Sequence, residues 1–229
     1  MYSTEQLREY LEWDVATWQQ ALLFWDQILA TEPGDATKLR ALEVGARNGG
    51  LSLWLAQKGY SVVCSDLYEP DDQAKRLHAK HQLSTHMQYR ALDATALDEP
   101  DASYDIVLFK SVLGGIGMNN NRAAISQAMS ELYRVLKPGG LLLFAENQQG
   151  SRLHQLGRQR FKSWGNQWCY LTLTELTNLL QPYREHSLKS YGYLACAAND
   201  FAPFVALDRL ICKTALSPNH YMAYGHARK

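Results

Sequence analysis

Only four cysteines occur in the 229 residues, Cys64, Cys169, Cys196 and Cys212, and no two stand close enough to make a Cys-x-x-Cys pair. That spacing excludes a disulfide framework and leaves a zinc site nothing to build on. Charge of one sign is missing too. The 23 Lys and Arg balance 23 Asp and Glu, which argues against nucleic acid as a general partner, because such binders carry a basic excess. No apolar run approaches the ~20 residues that span a bilayer. The opening stretch MYSTEQLREYLEWD is polar and acidic, unlike a signal or transit peptide. These absences predict a soluble, cytoplasmic chain with no membrane span, folded as a single domain over 1–229.

What is present is a rhythm. Residues 4–31 predict one amphipathic helix, with Leu7, Leu11, Val15, Trp18, Leu22, Trp25 and Ile28 every three or four positions and Pro33-Gly34 as the stop. LRALEV, YSVVCSDL, MQYRALDA, YDIVLFKS and PGGLLLFAEN then read as five strands separated by helical stretches. Strands alternating with helices predict parallel βαβ units, an α/β sheet covered on both faces. After residue 147 the pattern loosens. A basic and aromatic insertion over about 147–170 reads as a lid, TLTELTNLLQPY as a short helix, SLKSYGYLACA and HYMAYGHARK as strands, and 199–219 as a long irregular connection.

The segment Glu43-Val44-Gly45-Ala46-Arg47-Asn48-Gly49-Gly50 stands where the first strand turns into a helix. There, glycines let the backbone approach a ligand and the helix start offers free N–H groups. Asp66 ends the second strand, placed to accept from ribose hydroxyls, with Leu67 beside it. Asp93 and Ala94 follow the third, placed for an adenine amine. Lys110 closes the fourth strand, a charge at the end of a buried run, which predicts contact with substrate, cofactor or an acidic partner. His78, His81 and His86 cluster around a predicted surface helix, but no second ligand set accompanies them, so no metal is expected.

Taken together, LEVGARNGG, Asp66, LDATALDEPDASYDIVLFKSVL and ELYRVLKPGGLLLFAEN resemble the class I S-adenosylmethionine-dependent methyltransferases over nearly the whole chain. The resemblance implies a Rossmann-like sheet of seven strands, order 3-2-1-4-5-7-6 with strand 7 antiparallel, Lys137-Pro138-Gly139-Gly140 as the turn before the fifth strand, and S-adenosylmethionine as cofactor, with S-adenosylhomocysteine as product. It implies cofactor contacts from Glu43, Gly45, Ala46, Arg47, Asn48, Gly49, Asp66, Leu67, Asp93, Ala94 and Lys110. One departure stands out. Arg47 occupies the family's middle glycine, and since arginine tolerates positive φ poorly, the loop is expected to avoid it there. The same arginine breaks the Gly-x-Gly-x-x-Gly of nicotinamide dehydrogenases.

The acceptor is less legible. Phe109-Lys110-Ser111 differs from the Asn/Asp-Pro-Pro-Tyr/Phe pattern of nucleobase-amine enzymes. Ser111, Glu146, Asn147, Arg152, Arg158, Arg160, Trp164 and Trp168 are the candidate acceptor contacts, since arginine grips anions bidentately and aromatic rings stack on sugars. His154 and Lys110 are the candidates for proton transfer. The stretch EYLEWDVATWQQALLFW leading into LEVGARNGGLSLWLA is also similar, more loosely, to methyltransferases of bacterial surface-polysaccharide synthesis. That favours O-methylation of a sugar in an anionic glycan or glycan precursor. A small-molecule metabolite, a non-catalytic binding module and an RNA methyltransferase remain as alternatives.

Overall fold

A computed structural model describes residues 2–161, 167–197, 201–212 and 219–229. Seven strands form one sheet: β1 (Arg40–Val44), β2 (Ser61–Asp66), β3 (Met87–Ala91), β4 (Tyr104–Lys110), β5 (Leu136–Asn147), β6 (Glu185–Tyr191) and β7 (Met222–Arg228). Their order is β3-β2-β1-β4-β5-β7-β6. The first five run parallel, and β7 lies antiparallel between β5 and β6. The expected topology is therefore present, strand for strand.

Side chains alternate across the sheet, so its central strands feed two cores. Val107 and Phe109 of β4 join Leu42, Leu142 and Phe144 in a core closed by α5 (Leu113–Ile116), α6 (Arg122–Val135) and α8 (Leu173–Leu179). Ile106 and Leu108 join Ala41, Val62 and Leu143 in a second core under α1 (Thr4–Leu11), α2 (Val15–Leu29) and α3 (Gly50–Ala56). Trp18, Trp25 and Trp54 are fully buried in this second core; truncating such a ring to alanine costs about 3–5 kcal/mol. Trp25 also donates from its indole nitrogen to the Gly225 carbonyl (2.9 Å), tying α2 to β7. The helices begin where the chain offers caps: Ser3 and Gln6 make a capping box for α1, Thr172 and Glu175 one for α8, and Asp71 caps α4 (Asp72–Lys80).

Four local expectations are corrected. The predicted helix over 4–31 is two helices, broken at Glu12-Trp13-Asp14. The insertion after β5 contains a regular helix, α7 (Arg152–Phe161), and the connection over 199–219 contains another, α9 (Ala202–Ile211). Lys137-Pro138-Gly139-Gly140 is not a turn preceding the fifth strand. It bulges out of β5 itself, between the pairings Tyr104↔Leu136 and Ile106↔Leu141, with Lys137 bonded to Asp105 (2.8 Å).

Gly225 marks the tightest point between β6 and β7. A Cβ there would fall 2.0 Å from the Ser187 carbonyl oxygen and 2.8 Å from the Phe144 ring. Gly225→Ala is expected to cost about 3 kcal/mol or more of unfolding free energy, as overpacking against backbone does. A urea titration reads this directly; a variant as stable as the wild type would contradict the seating of β6 on β7.

Candidate active site

Parallel pairing brings the carboxyl ends of β1, β2 and β4 to one edge of the sheet, where open α/β sheets bind ligands. The loop after β1 holds that edge together. Gly45 and Gly49 have φ of +70° and +73°. Neither has room for a side chain: a Cβ would meet Val112 at 2.5 Å in one case and the His78 ring at 2.7 Å in the other. Arg47 corrects an expectation. It takes φ +50°, so the loop demands the left-handed region there and arginine supplies it, at a cost of about 1–2 kcal/mol. Its backbone N–H donates to Asp66 Oδ2 (2.8 Å), and its guanidinium lies 3.4 Å from Glu12 Oε2 and 4.9 Å from the Trp13 ring centre. Ala46 donates from its backbone to the Ser65 carbonyl (2.8 Å).

Glu43 is nearly inaccessible. Its carboxylate accepts from the Ser52 backbone N–H (2.6 Å) and the Ser52 hydroxyl. Burial pushes its pKa up to about 8, while the two Ser52 donors pull it back. Glu43 thus pins the first turn of α3 and positions the loop, where direct contact with a ligand was expected. Asp66 is half-buried at the end of β2, with Oδ1 accepting from Leu67 N–H (2.7 Å), and Leu67 itself lies exposed. Asp93 is exposed, and bonds from the Thr95 hydroxyl and N–H hold its carboxyl below the usual range; Ala94 is buried beside it.

Two groups come to this edge that the sequence did not place there. The first is the turn between α1 and α2. The Glu12 carboxylate accepts from Asn48 Nδ2 (2.8 Å). Lys110 Nζ donates to the Leu11 carbonyl (3.1 Å) and sits 3.2 Å from the Trp13 ring centre and 4.9 Å from that of Trp18. Burial pushes the Lys110 ammonium down to about 7, against the pull of Glu12 and Glu43. The second is His78. It is buried, not on a surface helix face: Nε2 donates to the Gly49 carbonyl (2.9 Å) and Nδ1 accepts from the Tyr89 hydroxyl (2.9 Å). Burial lowers its pKa, consistent with this neutral tautomer.

Farther along the edge, Ser111 follows β4 at φ +59° and accepts from Asn147 Nδ2 (2.5 Å). Glu146 is corrected from acceptor contact to scaffold. It is fully buried, its carboxylate accepts from the backbone N–H groups of Val112 (2.8 Å), Leu113 (2.7 Å) and Asn147 (2.9 Å), and burial raises its pKa to about 7. His154 spends both ring nitrogens, Nδ1 accepting from Ser151 N–H (3.0 Å) and Nε2 donating to the Tyr193 carbonyl (2.6 Å). That gives it a positioning part in place of the proton-accepting one expected.

Beyond β5 opens a polar cleft of about 350 Å³, walled by Arg122, Arg158, Trp168 and Tyr170 together with asparagine and glutamine side chains. Arg158 is almost wholly buried. Its Nη1 donates to the carbonyls of Gln148 (2.7 Å) and Gln149 (2.9 Å), its plane lies over Tyr170 (3.9 Å), and Nη2 has no hydrogen-bond partner among the described residues. Arg122 is paired with Glu175 (3.1 Å). Arg152 and Arg160 are exposed and stand outside the cleft wall, and Trp164 lies outside the described residues.

The methyltransferase domain family matches residues 42–144, which run from β1 into β5. Over these residues the chain is similar to methyltransferase domains. Among curated proteins, the chain is 36% identical over 108 residues to a ubiquinone biosynthesis O-methyltransferase of Leptothrix cholodnii, covering 47% of this chain and 43% of that one. It is 30% identical over 144 residues to the tRNA 5-carboxymethoxyuridine methyltransferase of Escherichia coli K12, covering 60% and 52%. The chain thus spans about half the length of these relatives. A phosphoethanolamine N-methyltransferase 2 of Haemonchus contortus, solved with S-adenosylhomocysteine, shares the fold at TM-score 0.63 and 18% identity, over 93% of this chain and 52% of that one. The methyltransferase domain contains the glycine loop, Asp66, Asp93 and Lys110, whereas the Glu12 turn and the α7 wall of the cleft lie outside it.

The Lys110 environment has a pH signature. The unfolded lysine holds its proton up to about 10.5 and the folded one only to about 7. Between those values the unfolded state binds more protons, so stability rises with pH through that window; below about 7 the burial penalty is constant. Glu12, Asp14 and Glu43 oppose the shift and Arg47 adds to it. The urea midpoint of the wild type minus that of Lys110→Met is expected to grow between about pH 7 and pH 9.5. A flat difference would contradict the buried environment.

Proposed function

We propose that this chain transfers a methyl group from S-adenosylmethionine to a polar, anionic acceptor held in the cleft beyond β5. The carrying observation is the loop of residues 45–49 folded onto Asp66 at the carboxyl edge of the sheet. The residues fit the cofactor. Asp66 retains acceptor capacity for ribose hydroxyls after its two backbone bonds, Leu67 offers an exposed apolar surface, and Asp93 stands at the end of the neighbouring strand. Bound there, the cofactor supplies an electrophilic methyl group. The chain's work is alignment and exclusion of water. Glu43 and Glu146 fix the loops at residues 45–49 and 111–114, on the two sides of the reaction space.

The wall of the cleft supports an acceptor that carries negative charge. Arg158 is a buried guanidinium whose Nη2 has no partner among the described residues, and the surrounding amides can bond hydroxyls or carbonyls. Neither Lys110 nor His154 is part of that wall, and its described residues include no carboxylate or imidazole. Such a wall suits a nucleophile that arrives deprotonated or sheds its proton to water. An oxygen on a sugar of an anionic glycan precursor is the acceptor this reading favours, with a small anionic metabolite as the alternative. The volume of about 350 Å³ sits in the small-molecule range, which favours either over an RNA tract.

Calorimetric titration with S-adenosylhomocysteine tests the reading at its base. The wild type is expected to bind at micromolar concentration. Asp66→Ala is expected to bind at least 30-fold more weakly, about 2 kcal/mol for lost bonds to a charged acceptor, with unchanged circular dichroism. No binding by the wild type would overturn the proposal.

A further inference from the structure

The break between α1 and α2 is an unusual piece of backbone. Glu12 has φ +67° and ψ −56°, and the Trp13 N–H donates back to the Leu11 carbonyl (2.8 Å). That is a three-residue γ-turn of the rare, strained sense. Asp14 follows at φ +44° and gives α2 no side-chain cap. Strained residues persist only where the surroundings hold them, and here the surroundings are the cofactor edge of the sheet. The Leu11 carbonyl is bonded by Lys110. The Trp13 ring centre is 3.2 Å from the Lys110 ammonium and 4.9 Å from the Arg47 guanidinium. The Glu12 carboxylate takes Asn48 Nδ2 at 2.8 Å and Arg47 Nε at 3.4 Å. Every cation or side-chain donor in this cluster belongs to the loop after β1 or to the end of β4, and each is turned toward the N-terminal turn.

We propose that Glu12 is an internal stand-in for the carboxylate of the cofactor's amino-acid tail, occupying the Arg47 and Asn48 donors beside Lys110 until that tail displaces it. The inference rests on the cofactor reading above. With Asp66 on the ribose side, the tail extends along the loop of residues 45–49, and its carboxylate is the only anionic group on S-adenosylhomocysteine. Two carboxylates cannot share this one pair of donors without mutual repulsion. Displacement therefore exchanges one charge-assisted set of bonds for another, returns Glu12 to water and releases the γ-turn. Burial already pushes the Glu12 pKa upward, so the carboxylate pays for its present place with lost hydration. Arg47 thereby gains a use: the left-handed residue of the loop is also an arm of the anion site.

Two ligands separate this inference from the reading beneath it. S-Adenosylhomocysteine carries the amino-acid tail, and 5′-methylthioadenosine keeps the adenine, ribose and sulfur without it. Calorimetry with both, on full-length wild type and Glu12→Gln, is expected to give at least fivefold tighter binding of S-adenosylhomocysteine to the variant, with 5′-methylthioadenosine unchanged within twofold. Binding of S-adenosylhomocysteine to the wild type is also expected to change tryptophan emission, with the change lost in Trp13→Phe, whereas 5′-methylthioadenosine leaves emission unaltered. Weaker or equal binding of S-adenosylhomocysteine by Glu12→Gln would overturn the inference while leaving the cofactor site intact, and so would a parallel shift for both ligands. Failure of the wild type to bind either ligand would overturn the cofactor reading and this inference with it.

Discussion

A carboxylate buried in the core governs the geometry of the site. Glu43 sits at the end of β1 with no route to water, and Ser52 supplies both a backbone and a hydroxyl donor to it. An ionisable group so placed is stable only when its partners are fixed. The first turn of α3 therefore cannot drift from the end of β1, and the five residues between them must close a short gap. They close it with left-handed residues at Gly45, Arg47 and Gly49, the last at the start of α3. That path aims the Arg47 N–H at Asp66 and the Gly49 carbonyl at His78. A second buried carboxylate, Glu146, repeats the device on the other side by gathering the N–H groups of Val112 and Leu113. The two pinned loops meet at Gly45, where a Cβ would fall 2.5 Å from the Val112 side chain.

Different parts of the chain supply the carboxyl edge of the sheet and what covers it. Residues 42–144 provide the loops and acids of the methyltransferase domain. The segments on either side of it provide the coverings: the α1–α2 turn over Lys110 and Arg47, and α7 with residues 167–170 around the polar cleft. Trp168 reaches the domain by lying across Gly114, where a Cβ would come within 2.7 Å of its ring.

The central block was legible because its elements announce themselves locally. Apolar runs of strand length, glycines at a strand-to-helix turn, and acids at strand ends each carry a direct physical reading, and the sheet order followed from resemblance. The break at Glu12 was hidden because α1 and α2 pack on the same core. Leu7, Leu11, Trp18, Leu22 and Trp25 all contribute to it, so the helical spacing runs on through the γ-turn without a gap. The helix α9 was hidden for the opposite reason. Its buried residue is Asp208, which accepts the N–H groups of Tyr193, Leu194 and Ala195, while Phe201, Phe204, Leu207 and Leu210 are exposed. An apolar stripe turned to solvent cannot be found by looking for one turned to a core. Glu146 and His154 carried residue types suited to catalysis, and only their hydrogen bonds reveal a scaffolding use.

The central claim is that one ligand, bound at the carboxyl edge, engages the loop after β1, the end of β2 and the α1–α2 turn together. Amide hydrogen exchange with and without S-adenosylhomocysteine tests it most directly. The account predicts slower exchange at residues 45–50, 66–67 and 93–97, with altered exchange at 11–15 and no change in β6 or β7. Protection confined to other segments, or an unchanged loop at 45–50 under saturating ligand, would contradict it.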